Sequence, residues 1–240
     1  MSINSSIEWT NSTWNPTSGC TKVSPGCQNC YAERMSKRLK AMGNVDYSNG
    51  FNLATHKDKL DLPYKWKKSK TIFVNSMSDL FHENIPDDFI SNTFKVMYDT
   101  NWHRYQILTK RSKRLILLSN NINWSRNIWM GVSIENKEYL HRVDDLKQTD
   151  AFVKFISFEP LIGAIGKINL KGIDWVIVGG ESGPGARIIK ESWVVEIRDQ
   201  CIESGVSFFF KQWSGINKKK SGRLLQGHYW SEFPKKSYKL

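Results

Sequence analysis

The sequence lacks three features that would place it in common classes of protein. It has no apolar run of the roughly 18 residues that a membrane-spanning helix needs, and no secretion signal of basic, apolar and small residues at its start. It has no early Gly-x-Gly-x-x-Gly loop, which argues against a dinucleotide-binding sheet. Its four cysteines are not spread along the chain, as those of a secreted disulfide framework would be. These absences predict a soluble, cytoplasmic protein with no membrane partner.

Acidic residues are scarce relative to basic ones. The chain has 23 Asp and Glu against 35 Lys and Arg, a formal net charge of +12. Glu232 is the only acidic residue in 211–240, a segment rich in lysine. Such an excess favours polyanions, so a nucleic acid or nucleotide is a candidate substrate or partner. The alternative is that the lysines simply form a solvated surface.

Short β-branched and aromatic runs alternate with amphipathic stretches along the chain. The predicted strands are 71–75, 104–108, 128–132, 153–158, 175–178 and 206–210, with 7–10 as a seventh candidate. The predicted helices are 88–98, 110–118, 137–146 and 192–203. This alternation indicates an α/β fold in which parallel strands form a full or partial TIM-like (β/α) barrel.

The barrel is expected to occupy residues 1–213. Residues 33–70 are interpreted as an insertion of helical and loop parts, and the link 160–172 lacks a helical pattern. Residues 214–240 are expected to form a basic extension packed on or beside the barrel.

Polar or glycine residues follow the predicted strands. Because the carboxyl ends of barrel strands meet at one face, these residues are candidates to bind a ligand together. The alternative is that strand ends are polar because loops are. The candidates are Ser76, Ser78, Asp79, Thr109, Lys110, Ser133, Glu135, Glu159, Gly179, Gly180, Glu181 and Ser182.

Three of the four cysteines lie within eleven positions: Cys20, Cys27 and Cys30. The turn 24–26 would bring the first thiol back towards the other two, because it contains proline and glycine. A structural zinc normally takes four protein ligands, and no fourth stands nearby, since His56 lies in the insertion and Cys201 on a predicted helix. Three thiolates suit a 4Fe-4S cluster with one open iron, while zinc remains the alternative.

A family resemblance runs along nearly the whole chain. The segments that carry it are Trp9-Thr10, Thr13-Trp14-Asn15-Pro16, Gly19-Cys20, Ser24-Pro25-Gly26-Cys27, Cys30-Tyr31-Ala32, Ser78-Asp79-Leu80-Phe81-His82, Leu108-Thr109-Lys110-Arg111, Gly131-Val132-Ser133-Ile134-Glu135, Ser157-Phe158-Glu159-Pro160-Leu161, Gly179-Gly180-Glu181-Ser182-Gly183 and Lys211-Gln212-Trp213. They resemble a phage-borne and bacterial three-cysteine-motif family of unknown function, which is similar to radical S-adenosylmethionine (SAM) enzymes. The cysteine spacing is C-x6-C-x2-C, where radical SAM enzymes usually have C-x3-C-x2-C.

The resemblance implies a radical SAM barrel and its cofactors, a 4Fe-4S cluster and SAM. The three cysteines would ligate the cluster, and the twelve strand-end residues above would contact SAM. The enzyme would generate a 5'-deoxyadenosyl radical, with an electron-donating protein and a genomically neighbouring protein as partners. The resemblance implies no substrate; the basic charge makes a nucleic acid or nucleotide the candidate for modification or repair. Two alternatives are a non-catalytic, metal-stabilised nucleic-acid-binding protein and a partner-dependent scaffold. Three tryptophans are candidates to stack at the barrel mouth: Trp9, Trp14 and Trp213.

Overall fold

A curled parallel sheet of seven strands organises the chain. The computed structural model describes residue 5 and residues 7–236, without the side chains of 218 and 219. The sheet order follows the chain, β1-β4-β5-β6-β7-β8-β9, and every neighbouring pair is parallel. The strands are β1 (Ser12–Trp14), β4 (Thr71–Val74), β5 (Arg104–Thr109), β6 (Ile128–Ser133), β7 (Val153–Phe158), β8 (Trp175–Gly179) and β9 (Ser207–Gln212). A separate antiparallel pair joins β2 (Thr17–Ser18) to β3 (Ala54–Thr55).

The described chain contains seven α-helices, several of which bury apolar side chains in the core on the convex face of the sheet. They are α1 (Tyr31–Ala41), α2 (Leu62–Lys65), α3 (Asp87–Asp99), α4 (Ser112–Ser119), α5 (His141–Lys147), α6 (Glu191–Glu203) and α7 (Lys218–Ser221). The longer ones are amphipathic, so α3 buries Phe89, Phe94 and Met97 in the main core while its other side faces solvent. The predicted α/β fold is confirmed as a partial TIM-like barrel, a half-barrel, and no helix lies between β7 and β8, as expected.

The first strand differs from its prediction. Residues 7–10 are not a strand, and β1 begins at Ser12 and pairs with β4. Trp9 instead lies 97% buried against Phe73 and Trp175, on the concave side of the sheet. The apolar side chains that suggested a strand therefore serve to close the amino end of the half-barrel.

Side chains alternate between the two faces of the sheet. On the convex face, residues such as Ile107, Met130 and Ile156 pack into the core beneath the helices. On the concave face, Trp129 and Trp175 belong to a second core that fills the amino end of the half-barrel. Towards the carboxyl ends the concave side chains become small, and this leaves a hollow.

Gly131 shows how tightly the concave core is packed. A Cβ at this position would lie 2.6 Å from Cε2 of Phe155 on the neighbouring strand. We expect Gly131→Ala to lower the free energy of unfolding by about 2 kcal/mol through overpacking, as measured by urea denaturation. The Gly131→Ala/Phe155→Leu double variant should lose less stability than the sum of the two single changes. Strict additivity would show that the two positions do not compete for space.

The chain after β9 packs back onto the sheet. Phe210 N donates to Trp230 O at 3.1 Å, and the Phe233 ring stacks on Trp175 with ring centroids 5.2 Å apart. The barrel was expected over 1–213 and the basic extension over 214–240. Of these two units, residues 1–4, 6 and 237–240 lie outside the described part of the chain. Within the described chain, no helix is long and apolar enough to cross a bilayer.

Candidate functional site

A cavity of about 690 Å³ opens at the carboxyl ends of the strands. Its lining includes all three clustered cysteines and ten of the twelve predicted strand-end residues: Ser76, Ser78, Asp79, Thr109, Lys110, Ser133, Glu159, Gly180, Glu181 and Ser182. Glu135 and Gly179 are not in the lining. Glu135 is fully buried and accepts from Arg142 Nη1 at 3.0 Å, so it belongs to the wall behind the cavity.

The cysteine segment is held by backbone contacts at its start and by a helix at its end. Gly19 precedes Cys20 with a φ of 78°, and a Cβ there would lie 2.1 Å from Asn52 O, so only glycine fits. Cys27 ends a short 3₁₀ turn, and Cys30 immediately precedes α1.

The three thiols share a cavity but do not converge on one point. Among the described residues, no three His, Cys, Asp or Glu side chains are close enough to hold a single metal ion. Each thiolate of an iron–sulfur cluster binds a different iron, so its ligands do not need to converge on one ion. His56 is the only other Cys or His among the described lining residues, and its Nε2 is hydrogen-bonded to Ser18 Oγ at 2.8 Å. The donor set therefore fits a three-thiolate cluster better than a single zinc ion.

Arg111 anchors the cysteine segment from the end of β5. Its Nη1 donates to Cys20 Sγ at 3.4 Å, and its Nη2 donates to Thr21 O at 3.2 Å and to Thr21 Oγ1 at 2.8 Å. Its Nε donates to Glu83 at 3.0 Å, and the side chain is 6% exposed. Because these contacts engage all three guanidinium nitrogens, Arg111 positions the segment and has little capacity left for a ligand.

Asp79 supports Arg111 from the end of β4. Its Oδ1 accepts from Thr109 Oγ1 at 2.7 Å and from Phe81 N at 3.0 Å. Its Oδ2 accepts from Lys110 N at 3.0 Å and from Arg111 Nη1 at 3.4 Å. Both carboxylate oxygens are thus engaged within the protein, and Asp79 ties the segment after β4 to the segment at the end of β5.

The Cys20 thiol lies in a desolvated environment. Burial raises its pKa to about 11, the negative charge of Asp79 adds to the rise, and Arg111 opposes it. A bound cation would be needed to hold this sulfur as a thiolate at neutral pH.

His82 lies behind the cysteine segment. Burial and the charge of Arg111 lower the pKa of His82, which favours the neutral ring. Its Nδ1 accepts from Asn84 N at 3.1 Å, which assigns the ring hydrogen to Nε2, 2.9 Å from Thr21 Oγ1. His82 is therefore a hydrogen-bonding support for the segment.

The loop after β8 holds the other side of the cysteine segment. Glu181 accepts from Asn29 Nδ2 at 2.9 Å, and it forms an ion pair with Arg187 at 2.6 Å. Arg34 of α1 donates to Ser182 O at 2.6 Å. Burial opposes ionisation of Glu181, but the hydrogen bonds from Arg187 and Asn29 outweigh it and lower the pKa of Glu181 below its usual range.

This network predicts a pH-dependent stability. Because the pKa of Glu181 is lower in the folded than in the unfolded chain, its contribution is fully present above the unfolded value of about 4.3. The contribution is lost as the pH falls through the folded value. We expect Glu181→Gln to lower the free energy of unfolding by about 2 kcal/mol at pH 7 and by progressively less below pH of about 4.

The measurement is urea denaturation of both proteins across this pH range. Glu196→Gln, at an exposed position of α6, is the control for loss of one negative charge. An equal difference between Glu181→Gln and the unaltered protein at every pH would contradict the prediction.

Several other lining residues have protein partners. Ser76 Oγ donates to Asn15 Oδ1 at 3.2 Å, Ser78 Oγ is 2.7 Å from Thr17 Oγ1, and Glu159 forms an ion pair with Lys211. Lys110 Nζ has no partner among the described residues, and Lys110 lines the cavity. Of the three candidate tryptophans, Trp9 lines the cavity, whereas Trp14 packs near Tyr105 and Trp213 against Phe210.

Three buried lining residues were not among the predicted site residues. Asn75 has a left-handed φ of 59°, and its Nδ2 has no hydrogen-bond partner. Ser157 Oγ and Gln212 Oε1 are likewise unpartnered. The feature of the sequence that could have identified Ser157 as a site residue is its lone hydroxyl inside a hydrophobic predicted strand. Gln212 follows a strand predicted to end two residues earlier, and Asn75 was counted within a strand.

The fold and the cavity together define the class of this protein. It is an α/β half-barrel of parallel strands with a candidate metal-cluster site, formed by three cysteines on a cavity at the carboxyl edge of the sheet. The chain belongs to the family described as "Protein of unknown function (DUF5131)", whose model matches residues 4–234.

No curated protein matches the chain. One similar solved structure is entitled "Spore photoproduct lyase complexed with dinucleoside spore photoproduct". It has 11% sequence identity and a TM-score of 0.43, and the match covers 77% of this chain and 59% of that chain. The present chain thus matches less than two thirds of that protein's length.

Proposed function

We propose that the protein is a radical SAM enzyme that acts on a nucleic acid or nucleotide. The observation that supports this proposal is the placement of three half-buried thiols on one cavity at the carboxyl edge of the half-barrel, with no fourth cysteine in the described lining of that cavity. A three-thiolate site of this kind leaves one iron of a 4Fe-4S cluster open for a further ligand.

The proposed cluster ligands are Cys20, Cys27 and Cys30. When bound, the cluster would supply the electron that cleaves SAM and generates a 5'-deoxyadenosyl radical, and a separate reductant protein would deliver that electron. Arg111 would keep Cys20 in place and balance the negative charge of its thiolate. Enclosure of the cavity by the cysteine segment and the loop after β8 would limit access of water to the reacting groups.

The cavity offers suitable groups for the amino acid and ribose parts of SAM. Lys110 can pair with a carboxylate, because its ammonium group has no partner among the described residues. The Ser133 hydroxyl can bond to a ribose hydroxyl. Gly180 also lines the cavity, but a Cβ there would lie 2.3 Å from Ser214 N, so its lack of a side chain accommodates the protein's own backbone. Asp79 and Glu181 act through the residues that they hold in position.

Anaerobic reconstitution with iron and sulfide tests the proposal. We expect a brown protein that contains about four irons per chain and releases 5'-deoxyadenosine from SAM on reduction, as measured by mass spectrometry. A colourless protein that binds zinc in place of iron would overturn the cluster assignment. An iron–sulfur protein that never releases 5'-deoxyadenosine would overturn the enzymatic one.

A further inference from the structure

An ion pair spans the carboxyl edge of the sheet across an intervening strand. Glu159 follows β7 and Lys211 lies in β9, yet their side chains meet over β8, which separates the two strands. Gly179, the last residue of β8, makes this possible, since a Cβ there would lie 3.3 Å from Glu159 Cδ. The paired side chains are 22% and 14% exposed and line the cavity.

Two lining residues close to this pair along the chain have unpartnered polar atoms. Ser157 precedes Glu159 by two residues and therefore points to the same concave face of the sheet. It is fully buried, it lines the cavity, and its Oγ has no hydrogen-bond partner. Gln212, next to Lys211, donates its Nε2 to Gly180 O at 2.9 Å but leaves Oε1 unpartnered. A buried polar group without a partner costs about 1–3 kcal/mol, so a ligand that bonds to these atoms would be favoured.

The polar groups define the chemistry of that ligand. The ammonium of Lys211 and the carboxylate of Glu159 neutralise each other, so together they present a donor and an acceptor with no net charge. Ser157 can donate or accept, and Gln212 Oε1 accepts. This set complements a neutral group with adjacent C=O and N–H functions, as found on the edge of a nucleobase.

The charge distribution favours a base that is attached to phosphate. Helix α1 begins next to Cys30 and exposes Lys37, Arg38 and Lys40 to solvent, and the whole chain has a net charge of +12. Cationic side chains of this kind bind a phosphate backbone with little regard to sequence.

We propose that Ser157, Glu159, Lys211 and Gln212 form a base-binding subsite that holds the polar edge of a nucleobase, carried on a nucleotide or a nucleic acid. This inference rests on the proposed function, because it places the substrate base in the cavity that also contains the three cysteines. Glu159 then contacts the substrate instead of SAM.

The test uses the full-length protein without added iron. Fluorescence anisotropy measures the affinity for a short single-stranded DNA and for the same strand with one abasic position at its centre. We expect the unaltered protein to prefer the intact strand about tenfold. Ser157→Ala and Glu159→Gln should each reduce this preference to less than about twofold, since one base contact is lost.

Two further variants make the result interpretable. Gly179→Ala should weaken the preference less than Ser157→Ala does, because a Cβ 3.3 Å from Glu159 Cδ shifts that side chain only slightly while all four subsite residues remain. Lys95→Met removes an exposed cation on α3 that pairs with Asp99 at 2.6 Å, and it should keep the full preference. Circular dichroism confirms that each variant is folded.

A second arm identifies the source of the base. Thermal shift with a nucleoside monophosphate and with the matching ribose phosphate shows whether a free nucleotide occupies the same subsite. Preference for the base-bearing compound in either arm, if abolished by Ser157→Ala, supports the proposal. Equal binding of base-bearing and base-free ligands in both arms, or a preference that no subsite variant alters, would overturn it. Cluster assembly and SAM cleavage are measured in the separate reconstitution experiment. Their failure would overturn the proposed function but would not change this binding result.

Discussion

Replacing Cys20 by alanine is expected to abolish assembly of the iron–sulfur cluster and, with it, cleavage of SAM. Each clustered cysteine would supply the only protein ligand of one iron, so the loss of any of the three removes a ligand that the cavity does not replace. Iron and sulfide per chain after anaerobic reconstitution should fall at least about tenfold relative to the unaltered protein. Cys27→Ala and Cys30→Ala should give the same result.

Cys201→Ala provides the matched control. This fourth cysteine is fully buried in α6, outside the cavity, and burial raises the pKa of its thiol to about 12. It should bind no iron, and its replacement should leave the iron content unchanged. A full complement of iron in the Cys20→Ala protein, or its loss in the Cys201→Ala protein, would be incompatible with the proposed site.

Arg111→Ala is expected to cause the largest loss of stability among the changes around the cysteine segment. The Arg111 side chain is 6% exposed, and its guanidinium joins Asp79 at 3.4 Å to Thr21 at 2.8 Å and to the sulfur of Cys20. Its removal leaves the buried Asp79 carboxylate without a cationic partner, and we expect the free energy of unfolding to fall by about 3 kcal/mol in urea denaturation.

The Asp79→Asn change tests the cause of that loss. If an uncompensated buried charge is responsible, the Arg111→Ala/Asp79→Asn double variant should be more stable than the sum of the two single losses implies. Arg111→Lys keeps the charge but cannot reproduce the forked contacts, so it should recover only part of the stability. Additive losses in the double variant would show that the two side chains act independently.

The strands and most helices could be predicted because their periodicity is local. The β-branched and aromatic run 153–158 and the helical spacing of apolar residues in 192–203 can each be recognised from residues close together in the chain. The strand predicted at residues 7–10 was wrong. Ile7 and Trp9 beside Thr10 fit a strand, but they fit equally well a segment that packs into the end of the half-barrel. Only the pairing of Ser12–Trp14 with β4 distinguishes these outcomes.

The alternating α/β order, the clustering of three cysteines and the polar character of the strand ends are all evident from local patterns of residues. Tertiary structure alone decided which of those polar residues face the cavity and which are already bonded within the protein. Arg111 reaches Cys20 across 91 positions, and Asn29 reaches Glu181 across 152. Contacts at such separations depend on how the sheet curls and on where a glycine such as Gly179 leaves room, and no local pattern of residues encodes either.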